Sequence, residues 1–233
     1  MKRFYKDVAA VAETGGHGIV LDGRPLRTPA RVPLLVPYPG LAEAIVAEWA
    51  GQGEEIDPRT MPMTGLANAA IDQVSPNVAA FARGIAAYGE SDLLCYRADG
   101  PATLVERQAA QWNPLLDWAQ ARYDVAFRVT AGIIHVAQPP ETLARLAASV
   151  EALDAYRLAG LSTLVTLSGS LVCGLAVVEG AMAADTVWAA TEIDEQWQAE
   201  QWGEDAEATA RRTLRAREFA DAARFCALVT NDG

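Results

Sequence analysis

The sequence predicts an α+β fold, in which a small, mostly antiparallel β domain with one helix (residues 1–58) precedes a larger all-helical domain (residues 59–233). Residues 1–37 alternate short apolar runs with glycine, proline and Asp-Gly turn signals, which is typical of strands. From Thr64 onward, apolar residues recur at helical spacings of three and four. Residues 158–178 carry no charged side chain, and we expect the helical domain to pack around them as one buried helix.

Turn residues place the elements of the first domain. Asp22 and Gly23 supply the positive φ angles of a tight hairpin between two short apolar runs. Residues 34–36 lie between two prolines, which favours an edge strand because proline cannot donate to a sheet ladder. Pro39 then opens a helix that ends at Gly51. We therefore expect a small antiparallel meander with one helix.

Prolines and polar caps divide the helical domain. A linker at residues 54–62 precedes it, and Thr64 is the expected N-cap of its first helix. Pro76 is expected at the first position of the next helix, and Pro140 near the start of a later one. Residues 125–136 are rich in β-branched side chains and form either a short strand or a surface segment. Two helices are expected at the end, over residues 181–203 and 205–230.

The uncharged segment allows two interpretations. Residues 158–178 are long enough to cross a bilayer. Five Ser and Thr residues make the segment only moderately apolar, however, and it lacks an aromatic belt and a flanking Lys/Arg cluster. We therefore predict burial inside the protein and no stable membrane insertion.

Composition excludes several classes of partner. The formal net charge is -11 and the pI is near 4.6, which argues against a nucleic-acid binder and against docking on anionic lipid.

Three cysteines without a CxxC spacing indicate buried free thiols rather than a zinc site or a disulfide framework. The chain begins MKRFYKDV, without a signal core or presequence, so we expect the bacterial cytoplasm, or the mitochondrial matrix for a trimmed organelle protein.

A search for catalytic motifs finds none. The sequence has no P-loop, no GxGxxG ahead of a helix and no accessible GxSxG elbow. His17 and His135 have no metal-ligand partner one turn away. We therefore expect no catalytic residue, no metal and no cofactor. The tryptophans are expected to be core anchors more often than stacking platforms, with Trp202 partly exposed among charges.

The charge distribution is more informative than the motifs. Residues 158–210 contain no Lys or Arg, and acidic residues concentrate at residues 192–207. Glu192 and Glu195 lie one helical turn apart, with no basic residue at i+3 or i+4. The segment is either a solvated helix face or an acidic surface that docks a basic patch of another protein. Paired carboxylates also serve glycosidases, but in a cleft that one helix cannot supply.

Five segments, in order along nearly the whole chain, resemble the ATP12 family of F1-ATPase assembly chaperones. They are LDGRPLRTP (21–29), DLLCYRA (92–98), WNPLLDW (112–118), LSGSLVCGLAV (167–177) and DEQWQAEQWG (194–203). The resemblance implies a small β-rich domain, a helical domain and no enzymatic activity. It also implies that the protein binds the F1 alpha subunit before that subunit joins beta, so that exposed alpha surface does not aggregate.

In this family, acidic residues near the C-terminal helices are implicated in function. The resemblance therefore implies a role in partner binding for Glu195 before any other residue. The partner-binding candidates are Glu195, Asp194, Glu192, Glu200, Trp202 and Glu204. The expected protein is a holding chaperone that is a monomer when free. The alternative is a carboxylate-dependent hydrolase built on Asp194, Glu195 and Glu204, which would require a pocket on which those groups converge.

Overall fold

The N-terminal sheet begins with a hairpin. The computed structural model describes residues 1–203 and 205–229. Strands β1 (Val8–Glu13) and β2 (Gly16–Leu21) pair antiparallel. The short strands β3 (Arg24–Pro25) and β4 (Leu35–Val36) pair antiparallel with the other edge of β2. Asp22 and Gly23 have φ angles of 48° and 75°, which confirms the predicted Asp-Gly turn.

Helix α1 (Pro39–Ala50) covers this sheet and ends at Gly51 as predicted. Apolar side chains of the sheet and of α1 form a small core between them. This core contains Ile19, Leu34, Val36, Leu41 and Ile45, none of which is more than 1% exposed.

The rest of the described chain contains nine further α-helices, short 3-10 and π segments and one short parallel strand pair, which confirms the α+β class. The strands are β5 (Tyr96–Arg97) and β6 (Thr130–Ala131), so a strand does form within residues 125–136. The helices are α2 (Pro62–Ala69), α3 (Val78–Ala86), α4 (Ala102–Tyr123), α5 (Pro140–Glu151), α6 (Ala155–Ser168), α7 (Leu171–Val178), α8 (Ala184–Thr191), α9 (Ile193–Trp202) and α10 (Ala206–Leu228).

The prediction of one continuous helix over residues 158–178 is wrong, although the predicted burial is confirmed. Gly169 adopts a left-handed conformation, with φ of 68°, and ends α6. Ser170 then caps α7, because its hydroxyl oxygen accepts a hydrogen bond from Cys173 N–H at 3.0 Å. Both helices line the large core. No helix in the part of the chain that the structure describes is long and apolar enough to cross a membrane.

A buried aspartate fastens the break between α6 and α7. The Asp92 carboxylate accepts hydrogen bonds at 3.0 Å from the N–H groups of Leu94 and Val172, the second of which lies in the first turn of α7. Asp92 is completely buried, and burial raises the pKa of its carboxyl. The segment at residues 92–98 thus has a structural function, since it supplies a cap to a helix 80 positions later.

Two predicted helix starts are wrong, because other residues cap these helices. Thr64 lies inside α2, and the carboxylate of Glu48 on α1 instead accepts hydrogen bonds from Met63 N–H and Thr64 N–H at 2.6 and 2.8 Å. Pro76 lies in a 3-10 turn before α3, which Asn77 caps.

The prediction of one helix over residues 181–203 is also wrong, because the structure has two helices there, α8 and α9.

Helix α10 belongs to both cores. Its Phe225 and the following Val229 pack with the sheet and α1. Phe219, Ala222 and Cys226 pack instead with the large helical core. Helix α6 approaches α10 closely at Gly160, where an added Cβ would lie 2.3 Å from Cys226 Sγ. The boundary at residue 58 stays a prediction, and the C-terminal helix contributes to the core on both sides of it.

Candidate functional site

Helix α9 presents one face to a groove that it forms with α10. Glu195, Gln198, Ala199 and Trp202 follow one another at helical positions i, i+3, i+4 and i+7, so their side chains share that face. The groove has a volume of about 430 Å³. Its opposite wall includes Arg211, Arg212 and Arg215 from α10.

Glu195 differs from the other acidic candidates because its carboxylate has no hydrogen bond or ion pair to any residue that the structure describes. It is exposed. Trp202 lies two turns further along the same face and is 79% exposed, which confirms the prediction that this tryptophan is accessible. The two residues together give the α9 side of the groove a carboxylate without an ion pair to a described residue and a large apolar surface.

Glu200 and Asp194 are held by helix α4 instead. Arg107 Nη1 lies 2.8 Å from each carboxylate oxygen of Glu200, and this contact lowers the pKa of the Glu200 carboxyl. The guanidinium of Arg107 also lies 5.1 Å from the centre of the Trp197 ring. Asp194 accepts a hydrogen bond from Gln108 Nε2 at 2.7 Å. This side of α9 is therefore an attachment to the protein rather than a free surface.

Glu192 does not lie on the exposed acidic surface where the sequence placed it, because it is 4% exposed. Burial raises the pKa of its carboxyl, and the nearby charge of Glu195 raises it further. Arg215 Nη1, at 4.0 Å from Glu192 Oε1, acts in the opposite direction. Glu204 lies outside the described residues.

The carboxylates of α9 face different partners and do not converge on one pocket. Of the acidic candidates, the groove is lined by Glu195, whereas Asp194 contacts α4 and Glu192 is buried beside α10. Within residues 1–203 and 205–229, no group of three or more His, Cys, Asp or Glu side chains is placed to hold a metal ion. The geometry therefore does not support the carboxylate-dependent hydrolase.

Sequence reasoning missed the residues that hold α9 in place. It looked for cations one turn away from each carboxylate, whereas Arg107 and Gln108 are 93 and 86 positions distant from their acidic partners. It also missed the arginine wall of the groove, although the cluster of Arg211, Arg212 and Arg215 directly after the acidic run was a usable signal.

Comparisons with known proteins find a matching family model and several similar chains. A family model described as ATP12 chaperone protein matches residues 2–120. The Schizosaccharomyces pombe protein atp12, mitochondrial, is 26% identical over 214 residues, which cover 87% of this chain and 74% of the yeast protein. The crystal structure of Atp12 from Paracoccus denitrificans is 46% identical, with a TM-score of 0.95 and 98% of each chain covered. An aspartate-to-lysine mutant of that bacterial protein is similar at a TM-score of 0.94 and 45% identity, again over 98% of each chain.

Proposed function

The chain belongs to the ATP12 family of chaperone proteins, and from that premise we propose that it holds the unassembled alpha subunit of F1-ATPase until that subunit joins beta. The proposed client surface is the part of alpha that becomes an interface in the assembled enzyme. Such a surface is apolar and aggregates when it is left uncovered. A protein that covers it for a time prevents that loss.

The observation that supports this proposal most is that Glu195 and Trp202 lie on the same exposed face of α9. A carboxylate that forms no ion pair with a described residue is available to a basic patch, and such complementarity sets partner choice and association rate. An exposed tryptophan is the residue type most enriched at the energetic centres of protein interfaces. Glu200 and Asp194 contribute less to the proposed contact, because Arg107 and Gln108 already occupy them.

Capture and release need no nucleotide in this scheme. The chaperone binds the free alpha subunit more tightly than the assembled one, because the proper partner competes for the same surface. Directionality comes from this difference in affinity. The net charge of -11 contributes to capture by steering a basic client surface toward the protein.

A matched pair of charge reversals tests the proposal. Glu195→Lys changes the net charge by two units in the groove, and Glu43→Lys makes the same change at an exposed position of α1. Each variant is co-expressed with the alpha subunit, and the alpha recovered with the tagged chaperone is quantified. We expect Glu195→Lys to lower recovery about tenfold or more, equivalent to ~1.4 kcal/mol, and Glu43→Lys to match wild type.

Two results would contradict the proposal. Equal recovery with Glu195→Lys and wild type would exclude the acidic contact, and no recovery of alpha with wild type would exclude the function. Circular dichroism of both variants supplies the control for folding. The aspartate-to-lysine mutant of the Paracoccus denitrificans relative keeps the family fold, which supports the expectation that a charge reversal of this kind leaves the chain folded.

We place the protein in the compartment where alpha folds, which is the bacterial cytoplasm, or the mitochondrial matrix for an organelle member. The three free and buried thiols of Cys95, Cys173 and Cys226 suit a reducing compartment. The free chaperone is proposed to be a monomer, because a net charge of -11 opposes self-association. Light scattering after size-exclusion chromatography measures its mass directly.

A further inference from the structure

The outer edge of strand β1 is open. β1 is the end strand of the N-terminal sheet and pairs only with β2 among the described residues. Residues 8–13 make no other backbone hydrogen bond, either to a backbone group or to a side chain, in the part of the chain that the structure describes. The backbone N–H and C=O groups on the outer edge of β1 therefore have no hydrogen-bond partner among the described residues.

The register identifies which backbone groups point outward. Asp22 N–H donates to the Asp7 carbonyl oxygen at 2.9 Å, so this opposed pair is a hydrogen-bonded one. Hydrogen-bonded and non-hydrogen-bonded pairs alternate along an antiparallel ladder. Val8, Ala10 and Ala12 are therefore non-hydrogen-bonded residues, and each presents one N–H and one C=O at the open edge.

Nothing in β1 guards this edge. Natural sheets protect exposed edges with proline, with lysine, with bulges or with a covering segment. β1 reads VAAVAE, and its register is unbroken from Val8 opposite Leu21 to Glu13 opposite Gly16. Five of its six residues are exposed, and those between Val8 and Glu13 are small or medium in size. A partner strand would meet no steric obstacle from the side chains of β1.

A second copy of the chain fits this edge poorly. The symmetric antiparallel pairing that uses all three outward residues is centred on Ala10. This pairing places Asp7 of each copy directly opposite Glu13 of the other, and like charges in that position are destabilising. The net charge of -11 on each copy adds further repulsion. The same two acids suit a strand that carries basic residues near its ends.

We propose that β1 binds an extended segment of the client subunit by strand addition. The segment pairs with Val8, Ala10 and Ala12 through main-chain hydrogen bonds. It has small or apolar residues in its middle and a basic residue near Asp7 or Glu13. The inference rests on the proposed function, and it assigns the N-terminal sheet a second contact with the same client, separate from the groove of α9 and α10. Main-chain pairing with an exposed sheet edge is an established mode of peptide recognition.

Amide hydrogen exchange by NMR tests this directly, with the unassembled F1 alpha subunit as the probe. The amides of Ala10 and Ala12 point outward, whereas those of Ala9 and Val11 are bonded to β2 and serve as internal controls. We expect the outward amides to exchange quickly in the free chaperone and at least about tenfold more slowly in the complex. The inward amides are expected to be protected in both states.

A substitution pair supplies an independent arm. Ala10→Pro removes an outward N–H without removing a bond to β2, and it should lower recovery of alpha at least about tenfold. Ala10→Val keeps the N–H and should recover alpha as wild type does, and the protection of Ala9 and Val11 reports whether each variant keeps the β1–β2 ladder.

Three outcomes overturn the inference. Alpha binding without slowed exchange at Ala10 and Ala12 rejects strand addition but leaves the proposed function standing. Failure of the wild-type protein to bind alpha rejects both. Slowed exchange at these amides in concentrated chaperone alone would show that a second copy, rather than the client, occupies the edge.

Discussion

Arg107 on α4 binds Glu200 on α9 with both contacts from one nitrogen, since Nη1 lies 2.8 Å from each carboxylate oxygen. Glu195, five residues earlier on the same helix, has no such partner within the described part of the chain. Two glutamates of one helix thus differ in their pairing. Glu200 is bonded to Arg107, whereas Glu195 forms no ion pair with a described residue.

This difference predicts unequal effects of neutralising the two charges. Glu195→Gln should weaken binding of the alpha subunit several-fold, whereas Glu200→Gln should change it little because Arg107 already compensates that carboxylate. Titration of alpha at two salt concentrations measures both effects. The difference between the variants should shrink at high salt, where exposed charges are screened. Equal loss of binding in the two variants would contradict the distinction.

A pair of tryptophan substitutions should separate binding from folding. Trp202→Ala removes a side chain that is 79% exposed, so the free energy of unfolding should change by less than about 0.5 kcal/mol while recovery of alpha falls. Trp112→Ala removes a completely buried ring whose N–H donates to Ala190 O at 2.6 Å, and should cost about 3–5 kcal/mol. Urea denaturation measures stability, and a large loss with Trp202→Ala would contradict its assignment to the surface.

Two glycine-to-alanine substitutions should change stability in opposite directions. At Gly160, a Cβ would lie 2.3 Å from Cys226 Sγ and 3.3 Å from Phe225 Cδ1, so Gly160→Ala should destabilise by about 1–3 kcal/mol through overpacking. At Gly84 on α3, a Cβ meets no atom within 4 Å, so Gly84→Ala should stabilise by up to about 1 kcal/mol. Thermal unfolding of both variants checks the pair. Stabilisation by Gly160→Ala would show that α6 and α10 are not in close contact.

The raised pKa of Glu192 predicts how its contribution to stability depends on pH. For a group whose folded-state pKa lies above its ordinary value, here 4.5, the contribution is fully present below that value and is lost as the pH rises through the raised pKa. Relative to Glu192→Gln, wild type should therefore lose stability as the pH rises from about 4.5. Urea denaturation across this range measures the difference, and a gain in wild-type stability with pH would reverse the assignment.

The same glutamate offers a local measurement. Glu195→Gln removes a neighbouring negative charge that raises the pKa of Glu192, so it should lower that pKa. Titration of the Glu192 carboxyl carbon by NMR in wild type and in the variant records the shift. An unchanged pKa would show that the two carboxylates do not interact.

The fold class was predictable because local signals and tertiary packing agree over most of the chain. The Asp22 turn and the limits of α1 follow from residues whose backbone preferences are strong. The break at Gly169 was harder to place, since an uncharged run with glycine and serine suits either one helix or two. The start of the second helix is stabilised by the buried carboxylate of Asp92, which lies 80 positions away in the sequence. The prediction that Thr64 caps α2 is wrong for the same reason. The carboxylate oxygen that accepts the hydrogen bond from Thr64 N–H belongs to Glu48 on another helix.

The site was predictable only in part. An acidic run among charges is visible in the sequence, and the exposure of Trp202 follows from it. Which carboxylate remains free is not visible, because the partners of Glu200 and Asp194 lie on α4 and the burial of Glu192 depends on how α8, α9 and α10 meet. A charge pattern along a chain identifies candidate residues, and tertiary contacts decide which of them are available.

The position of helix α10 in the chain determines when the two hydrophobic cores can be completed. It is synthesised after every other described element, and its Phe225 fills the sheet core while Phe219 fills the helical one. A nascent chain on the ribosome therefore carries two unfinished apolar cavities until translation has passed this helix. The chaperone would itself be most prone to aggregation during that interval, before the groove that α10 forms with α9 exists.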